Sequence, residues 1–359
     1  RRISMSYEVF DRRYSLIVGR LSTNIVNTLP RYISKVAVPR YLAATKIIDS
    51  SQGLGDTSNG IGFHDYRTIP DKFIEIRDLG MRATIVYSKS GSNGGNQSSV
   101  IYLDNLTEDT KNSIRVNDML FLRAGYKIDI GSRDVDYDDL PLLLASQVKS
   151  VTTTRDSSTG TYITKIVCAD NNIPKKSLKF SKSWPKNTTK KQVLEDMLLI
   201  AKSNFVPVGK VQIKIGDFQS PVEDTYPFGY SAAGNLFEEI SKFCDGMDYR
   251  FYTVLGKLYV EPKGVAQYVE TFILEPETLK APLERQGDNS KETQGSKVKD
   301  EGIVARTFLN GRVQANMAIS IENVGQDFNG TYPIESISHN LDFEGNAWDT
   351  IIKTRKLQG

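Results

Sequence analysis

VKSVTTTRDSSTGTYITKI (148–166) and IESISHNLDFEGNAWDTII (334–352) align without a gap at an offset of 186 residues. Val148 falls on Ile334, Ser150 on Ser336, Val151 on Ile337, Asp156 on Asp342, Tyr162 on Trp348, Thr164 on Thr350 and Ile166 on Ile352. In each copy an alternating segment leads into a polar turn carrying Gly160 or Gly345, and an aromatic-x-Thr sequence opens the return. A period of two puts successive side chains on opposite faces of a strand, so each copy predicts a β-hairpin. Any two hairpins share alternation and a turn glycine. The equal spacing and the common aromatic-x-Thr start point further, to two related β-domains marked by Ser150, Tyr162, Thr164 and by Ser336, Trp348, Thr350. A duplicated β-domain suits assembly geometry before it suits catalysis.

Working outward, 359 residues can bury more than one core. The net charge of +3 is too mild to announce a nucleic-acid binder. One local excess exists: Arg1, Arg2, Arg12, Arg13, Arg20, Arg31, Lys35 and Arg40 meet few acids. It reads either as an arm that docks on an acidic neighbour or as a solvated amino-terminal region. Cys168 and Cys244 sit in apolar settings that suit buried free thiols. No run reaches the length of a membrane-spanning helix, and no signal sequence opens the chain.

YSLIVG (14–19), FIEIRDLGMRATIVYS (73–88, broken at 78–80), 100–103 and 119–122 read as strands, with polar loops at 49–62 and 88–99. With the first repeat copy they make a closed or nearly closed antiparallel barrel. The middle is different. Thr188 or Thr189 caps a helix with Val193, Leu194, Met197, Leu198 and Ala201 at helical spacing, and a second helix is expected over 232–243, followed by a hairpin over 249–260. The predicted fold class is α+β, mainly β: two related antiparallel β-barrel domains separated by two small α/β domains. The boundaries are 1–172 for the amino-terminal arm and first barrel, 173–218 and 219–284 for the small domains, and 285–302 for a polar linker. The second barrel occupies 303–359 and is open to completion by strands from elsewhere.

Chemistry is thin. His64 has Asp65 beside it, but neighbours on an extended segment point to opposite faces. His339 falls on Thr153 in the repeat and reads as a hydrogen-bonding pair member. SGSNGG (90–95) lacks the Gly-Lys-Ser/Thr ending of a phosphate loop. The acidic run 134–139 fails as an EF-hand, with Asp139 where glycine is needed and Ala145 where glutamate is needed. No Cys/His metal set exists, and aromatics alternating with base in Tyr249-Arg250-Phe251-Tyr252 suit packing better than base stacking. No catalytic, cofactor-binding or metal residue is therefore assigned, and no enzyme activity is expected.

YSLIVG, FIEIRDLGMRATIVYS, the 190–202 helix, PFGYSAAGNLFEEISKFCDGMDYRFY (227–252) and the segment 330–350 together resemble the central baseplate hub protein of contractile-tailed bacteriophages. The amino-terminal part of type VI secretion spike proteins is similar to that family too. The likeness spans nearly the whole chain, through packing patterns instead of catalytic signatures. It implies a homotrimer whose six barrels match a sixfold tail tube on one face and a threefold spike on the other. Its implied partners are the spike protein, the tail tube or tube-initiator protein and the wedge proteins, with tape measure and DNA passing through a lumen that is not strongly basic. The implied location is the tail baseplate of the virion, assembled in the host cytoplasm. The chain stops at Gly359, so the spike and any lytic activity are expected in other chains. The rival readings are a carbohydrate- or receptor-binding tail protein, with Trp184 or Tyr226 as a stacking platform, and a cell-wall hydrolase working through an Asp or Glu.

Overall fold

A computed structural model of the chain describes residues 12–19, 73–77, 79–89, 96–126, 140–169, 178–204, 213–215, 224–254, 257–262, 271–286, 302–315, 317–322 and 324–355. The first part comprises β1 (Arg12–Gly19), β2 (Phe73–Arg77), β3 (Met81–Ser88), β4 (Asn96–Asp104), a short helix α1 (Glu108–Ser113), β5 (Met119–Tyr126), β6 (Leu142–Arg155) and β7 (Tyr162–Ala169). The middle holds β8 (Lys179–Trp184), β9 (Thr188–Thr189), α2 (Lys190–Asn204), β10 (Ile213–Ile215), β11 (Thr225–Tyr226), β12 (Tyr230–Asn235), α3 (Leu236–Gly246), β13 (Tyr249–Val254) and β14 (Lys257–Pro262). The last part carries β15 (Thr271–Leu274), β16 (Glu284–Gln286), β17 (Gly302–Phe308), β18 (Ala318–Ile321), β19 (Gly330–Asp342) and β20 (Trp348–Thr354).

The molecule is mainly β. Among the described residues thirteen strands form one sheet, ordered β16-β17-β20-β19-β3-β4-β7-β6-β5-β1-β2, with β18 on β19 and β15 on β18. No strand pair closes this sheet into a barrel among the described residues. The two β-halves, expected as two barrels, are joined edge to edge by a β3–β19 ladder. β19 is long enough to serve both: its first residues pair with β18 and the rest with β3.

Three apolar clusters sit on this frame. The largest joins β1 and β3–β7 with Tyr252, Val254 and Tyr259 of the middle hairpin and with Leu341 and Trp348 from the last part. A second lies under β17–β20. The third gathers Val193, Leu194, Met197, Leu198 and Ala201 of α2 against Leu236, Phe237, Ile240 and Phe243 of α3. The pairing of β8 with β12 also runs between the ranges 173–218 and 219–284. α2 starts on a capping box, Thr189 Oγ1 accepting the Gln192 N–H at 3.1 Å and Gln192 Oε1 the Thr189 N–H at 3.0 Å. α3 begins at Leu236 and not at 232, because Gly234 takes a φ of +133° and the Asn235 side chain accepts the N–H groups of Phe237 and Glu238. Ala232 belongs to β12 instead.

Both cysteines are buried free thiols, and burial pushes the Cys168 thiol up to about 12. The polar stretch 285–302 begins within β16 and ends at the start of β17. The loop at 49–62, His64 and Asp65, SGSNGG, the acidic run 134–139, residues 287–300 and the basic arm apart from Arg12 and Arg13 lie outside the described residues.

Candidate assembly interface

The hairpins marked in the sequence are β6–β7 and β19–β20, and their registers coincide. Val151 pairs with Ile166, Thr153 with Thr164 and Arg155 with Tyr162. Ile337 pairs with Ile352, His339 with Thr350 and Leu341 with Trp348, the same positions displaced by 186 residues. Each leading strand slips register once, between Val148 and Ser150 in β6 and between Ile334 and Ser336 in β19. Ser150 and Ser336 thus each follow a β-bulge, an extra residue that bends its strand. The turns correspond as well. The Asp156 N–H donates to the Thr161 carbonyl at 2.9 Å, and the Asp342 N–H to the Ala347 carbonyl at 2.5 Å. Asp156 accepts from Ser158 and Thr159, and Asp342 from the Gly345 N–H.

The matched central pair is polar in both copies: Thr153 Oγ1 and Thr164 Oγ1 lie 3.2 Å apart, His339 Nδ1 and Thr350 Oγ1 3.0 Å apart. His339 is 2% exposed, and burial lowers its pKa from 6.5 to about 4. The unfolded imidazole takes a proton near its ordinary value while the folded one resists until about pH 4. Stability therefore falls as pH drops through that window and levels off below it, by about 3 kcal/mol in all. His339→Thr, which copies the matching Thr153, is expected to remove this slope. Urea midpoints of wild type and variant at pH 7 and at about pH 4.5 check it, since this interval covers most of the window between the unfolded and the folded titration.

The correspondence extends to three flanking strands. Met119, Leu120, Phe121 and Leu122 face Gln147, Ser146, Ala145 and Leu144, as Ala318, Ile319, Ser320 and Ile321 face Pro333, Tyr332, Thr331 and Gly330. Residues 100–104 of β4 pair with 163–167, as residues 304–308 of β17 pair with 349–353. β3 runs antiparallel along β4 as β16 does along β17. Strands β3-β4-β7-β6-β5 thus match β16-β17-β20-β19-β18 in order, direction and register. The match ends at the next strand, β1 being antiparallel to β5 and β15 parallel to β18.

The two units differ in what covers one edge. Residues 336–342 of β19 pair outward with residues 82–88 of β3. After its bulge, β6 has β7 on one side and no strand on the other among the described residues. Side chains follow suit. Ile337, His339 and Leu341 are buried, whereas Val151 and Thr153 are half-buried and Arg155 is exposed. Trp348 is 1% exposed and Tyr162 52%. The first unit supplies the Trp348 socket: Nε1 donates to the Gly125 carbonyl at 3.3 Å, Tyr126 Oη donates to the Trp348 carbonyl at 3.0 Å, and the Arg12 guanidinium lies 5.6 Å from the ring centroid.

The β3–β19 joint is closed by charges from β13 and β14. Lys89 donates its N–H to the Glu335 carbonyl at 3.0 Å and its Nζ lies 3.1 Å from Glu261. Tyr252 Oη donates to Glu261 at 3.0 Å, and Arg250 reaches both Glu335 carboxylate oxygens at 2.8 and 2.7 Å. Burial lowers the Lys89 pKa, with Glu261 opposing, and raises the Tyr252 phenol well above its ordinary value, with Glu261 reinforcing. An unpartnered buried charge is costly, so Lys89→Ala is expected to lose about 3 kcal/mol, whereas Lys89→Met with Glu261→Gln loses about 1 kcal/mol or less. Urea denaturation of both variants decides it.

The other candidates dissolve into packing. Trp184, expected as an exposed stacking platform, is 6% exposed and donates Nε1 to Asp196 at 2.8 Å, because β8 lays it on the α2–α3 core. Tyr226 stacks on Tyr230 at 4.6 Å. Tyr249, Phe251 and Tyr252 are buried. Among the described residues no group of three or more His, Cys, Asp or Glu is placed to hold a metal ion. No helix among them is long and apolar enough to cross a membrane.

No model of a protein family and no curated protein matches the sequence. Solved structures do match. The 43 kDa tail protein of prophage MuSo2 from Shewanella oneidensis is similar at a TM-score of 0.51 and 8% identity, over 78% of this chain and 93% of that one. A tail protein from Neisseria meningitidis MC58 gives 0.51 and 7%, over 79% and 93%. A component of the E. coli type VI secretion system gives 0.48 and 8%, over 77% and 73%. The chain thus shares the fold of the two tail proteins.

Proposed function

We propose that the chain is a structural, non-enzymatic component of a phage tail baseplate, the homotrimeric central hub between tube and spike. One observation carries this reading: the five-strand unit occurs twice, with the same order, direction, register and bulge. Such a repeat lets three identical chains present six equivalent units around one axis, which suits a sixfold tube, while the chain itself keeps threefold identity for a spike. Head-to-tail contacts that repeat one rotation close into a ring and stop. The shared fold with prophage tail proteins supports the same assignment. In this reading the units are the two barrels expected from the sequence, flanking the small α/β region. Spike, tube or tube-initiator and wedge proteins are the partners, and tape measure and DNA pass through the lumen.

Negative-stain images of the purified chain, alone and with a candidate spike protein, test the proposal. Threefold rings with six lobes and a central hole are expected. Monomers in both samples would contradict it.

A further inference from the structure

We infer that the open edge of β6, residues 150–155, is an assembly edge that takes β16 of a second copy of this chain as an added antiparallel strand. In the expected register Thr153 lies opposite Arg285 and Thr154 opposite Glu284.

The backbone of β6 is oriented for this. Because the Asp156 N–H bonds the Thr161 carbonyl, residues 154 and 152 turn their backbone groups toward β7, and Val151, Thr153 and Arg155 turn theirs outward. In the second unit the corresponding groups of Ile337, His339 and Leu341 face β3, bracketed by the bonds Lys89 N–H to Glu335 and Phe343 N–H to Met81. A run of valine and threonines with outward backbone groups and no proline is the kind of edge that solitary proteins blunt.

The complementary half is also present. β16 occupies in the second unit the place β3 occupies in the first, since Thr84 pairs with Val100 and Glu284 with Val304. The outer edge of β3 is filled by β19, whereas β16 ends the sheet among the described residues. Among the described residues each chain thus uses one such joint internally and carries the two halves of another, β16 and the outer edge of β6, without a strand on them. Transferring Thr84 opposite Asn340 and Ile85 opposite His339 gives the register stated above. Given the trimer proposed for the hub, three joints within chains alternate with three between them. Tyr162, the exposed counterpart of Trp348, becomes covered by the neighbour.

Thr154 and Glu284 are both exposed and would form a non-hydrogen-bonded pair, whose Cα separation of about 4.5 Å suits a disulfide. The test is the full chain carrying Thr154→Cys and Glu284→Cys together, assembled and then oxidised. The native thiols are buried. Covalent dimers and trimers that vanish on reduction, with peptide mapping to the new pair, are expected. Wild-type mass is measured in parallel by light scattering. Trimers that fail to cross-link, or that cross-link only through a shifted pair such as Thr152→Cys with Glu284→Cys, would overturn this joint while leaving the hub reading intact. A wild-type chain that stays monomeric both alone and with the candidate spike protein would overturn both.

Discussion

Thr153→Pro is expected to give a folded chain that no longer assembles. The Thr153 N–H points away from β7, so proline removes no bond of the β6–β7 ladder. Loss of the 3.2 Å contact to Thr164 costs about 1 kcal/mol, within reach of a domain this size. On the outer edge the same change deletes a ladder donor and sets the pyrrolidine ring in the path of an incoming strand, the device by which edges are normally kept single. Light scattering should report the 40.2 kDa chain mass in place of three times that value, with an unchanged circular dichroism spectrum. A proline variant that still runs at the trimer mass would remove β6 from the interface.

Trp348→Ala and Tyr162→Ala should differ more than any other matched pair in the two units. The indole is fully covered, its Nε1 bonded to Gly125 and its ring beside Phe343 and under Arg12. Removing it leaves a large cavity across the contact between the units, and a loss of about 5 kcal/mol is expected. Tyr162 is half exposed in the single chain, so its removal should change monomer stability by no more than about 0.5 kcal/mol. If the neighbour covers it, the same substitution weakens assembly markedly, because buried aromatics dominate interfaces. Urea unfolding of the dilute chain and dilution-dependent mass of the assembled one separate the two effects.

The hairpins were legible in the sequence because both halves of each repeat are local: alternation, the turn aspartates at 156 and 342 and the aromatic-x-Thr starts lie within twenty residues. The register match of the outer strands was not. β4 and β17 share no pattern, since Tyr102 stands where Arg306 does and Asp104 where Phe308 does. What is conserved between them is backbone pairing, which leaves no mark on side chains beyond burial. Arg306 serves a local need, bonding the buried Asp349 that Asn340 also contacts, whereas Ile163 stands at the matching site.

The β3–β19 ladder was also beyond sequence reading, because it joins residues some 250 positions apart and both strands already have partners nearer in the chain. Its one local clue is Lys89, a charge just after an alternating strand whose acid, Glu261, lies far along the chain. Arg285 and Gln286 read as the start of a polar linker, with Glu284 just before it, because β16 is short and has a strand on one side only among the described residues. A strand that borrows its second neighbour from another copy carries no apolar face of its own to announce it. The helix expected over 232–243 starts four residues later for a simpler reason: Ala232 and Ala233 carry no signal against a helix, and it is the Asn235 side chain, accepting from Phe237 and Glu238, that sets its beginning.

Hydrogen exchange of the backbone amides of β6 and β19 tests the central claim most directly. The Ile337, His339 and Leu341 amides face β3 within the chain and should be protected at every concentration. That of Thr153, which the joint sets opposite Arg285 of β16, should exchange freely in the dilute chain and become protected only as the assembly forms. Fast exchange of the Thr153 amide in the assembled protein would contradict the account.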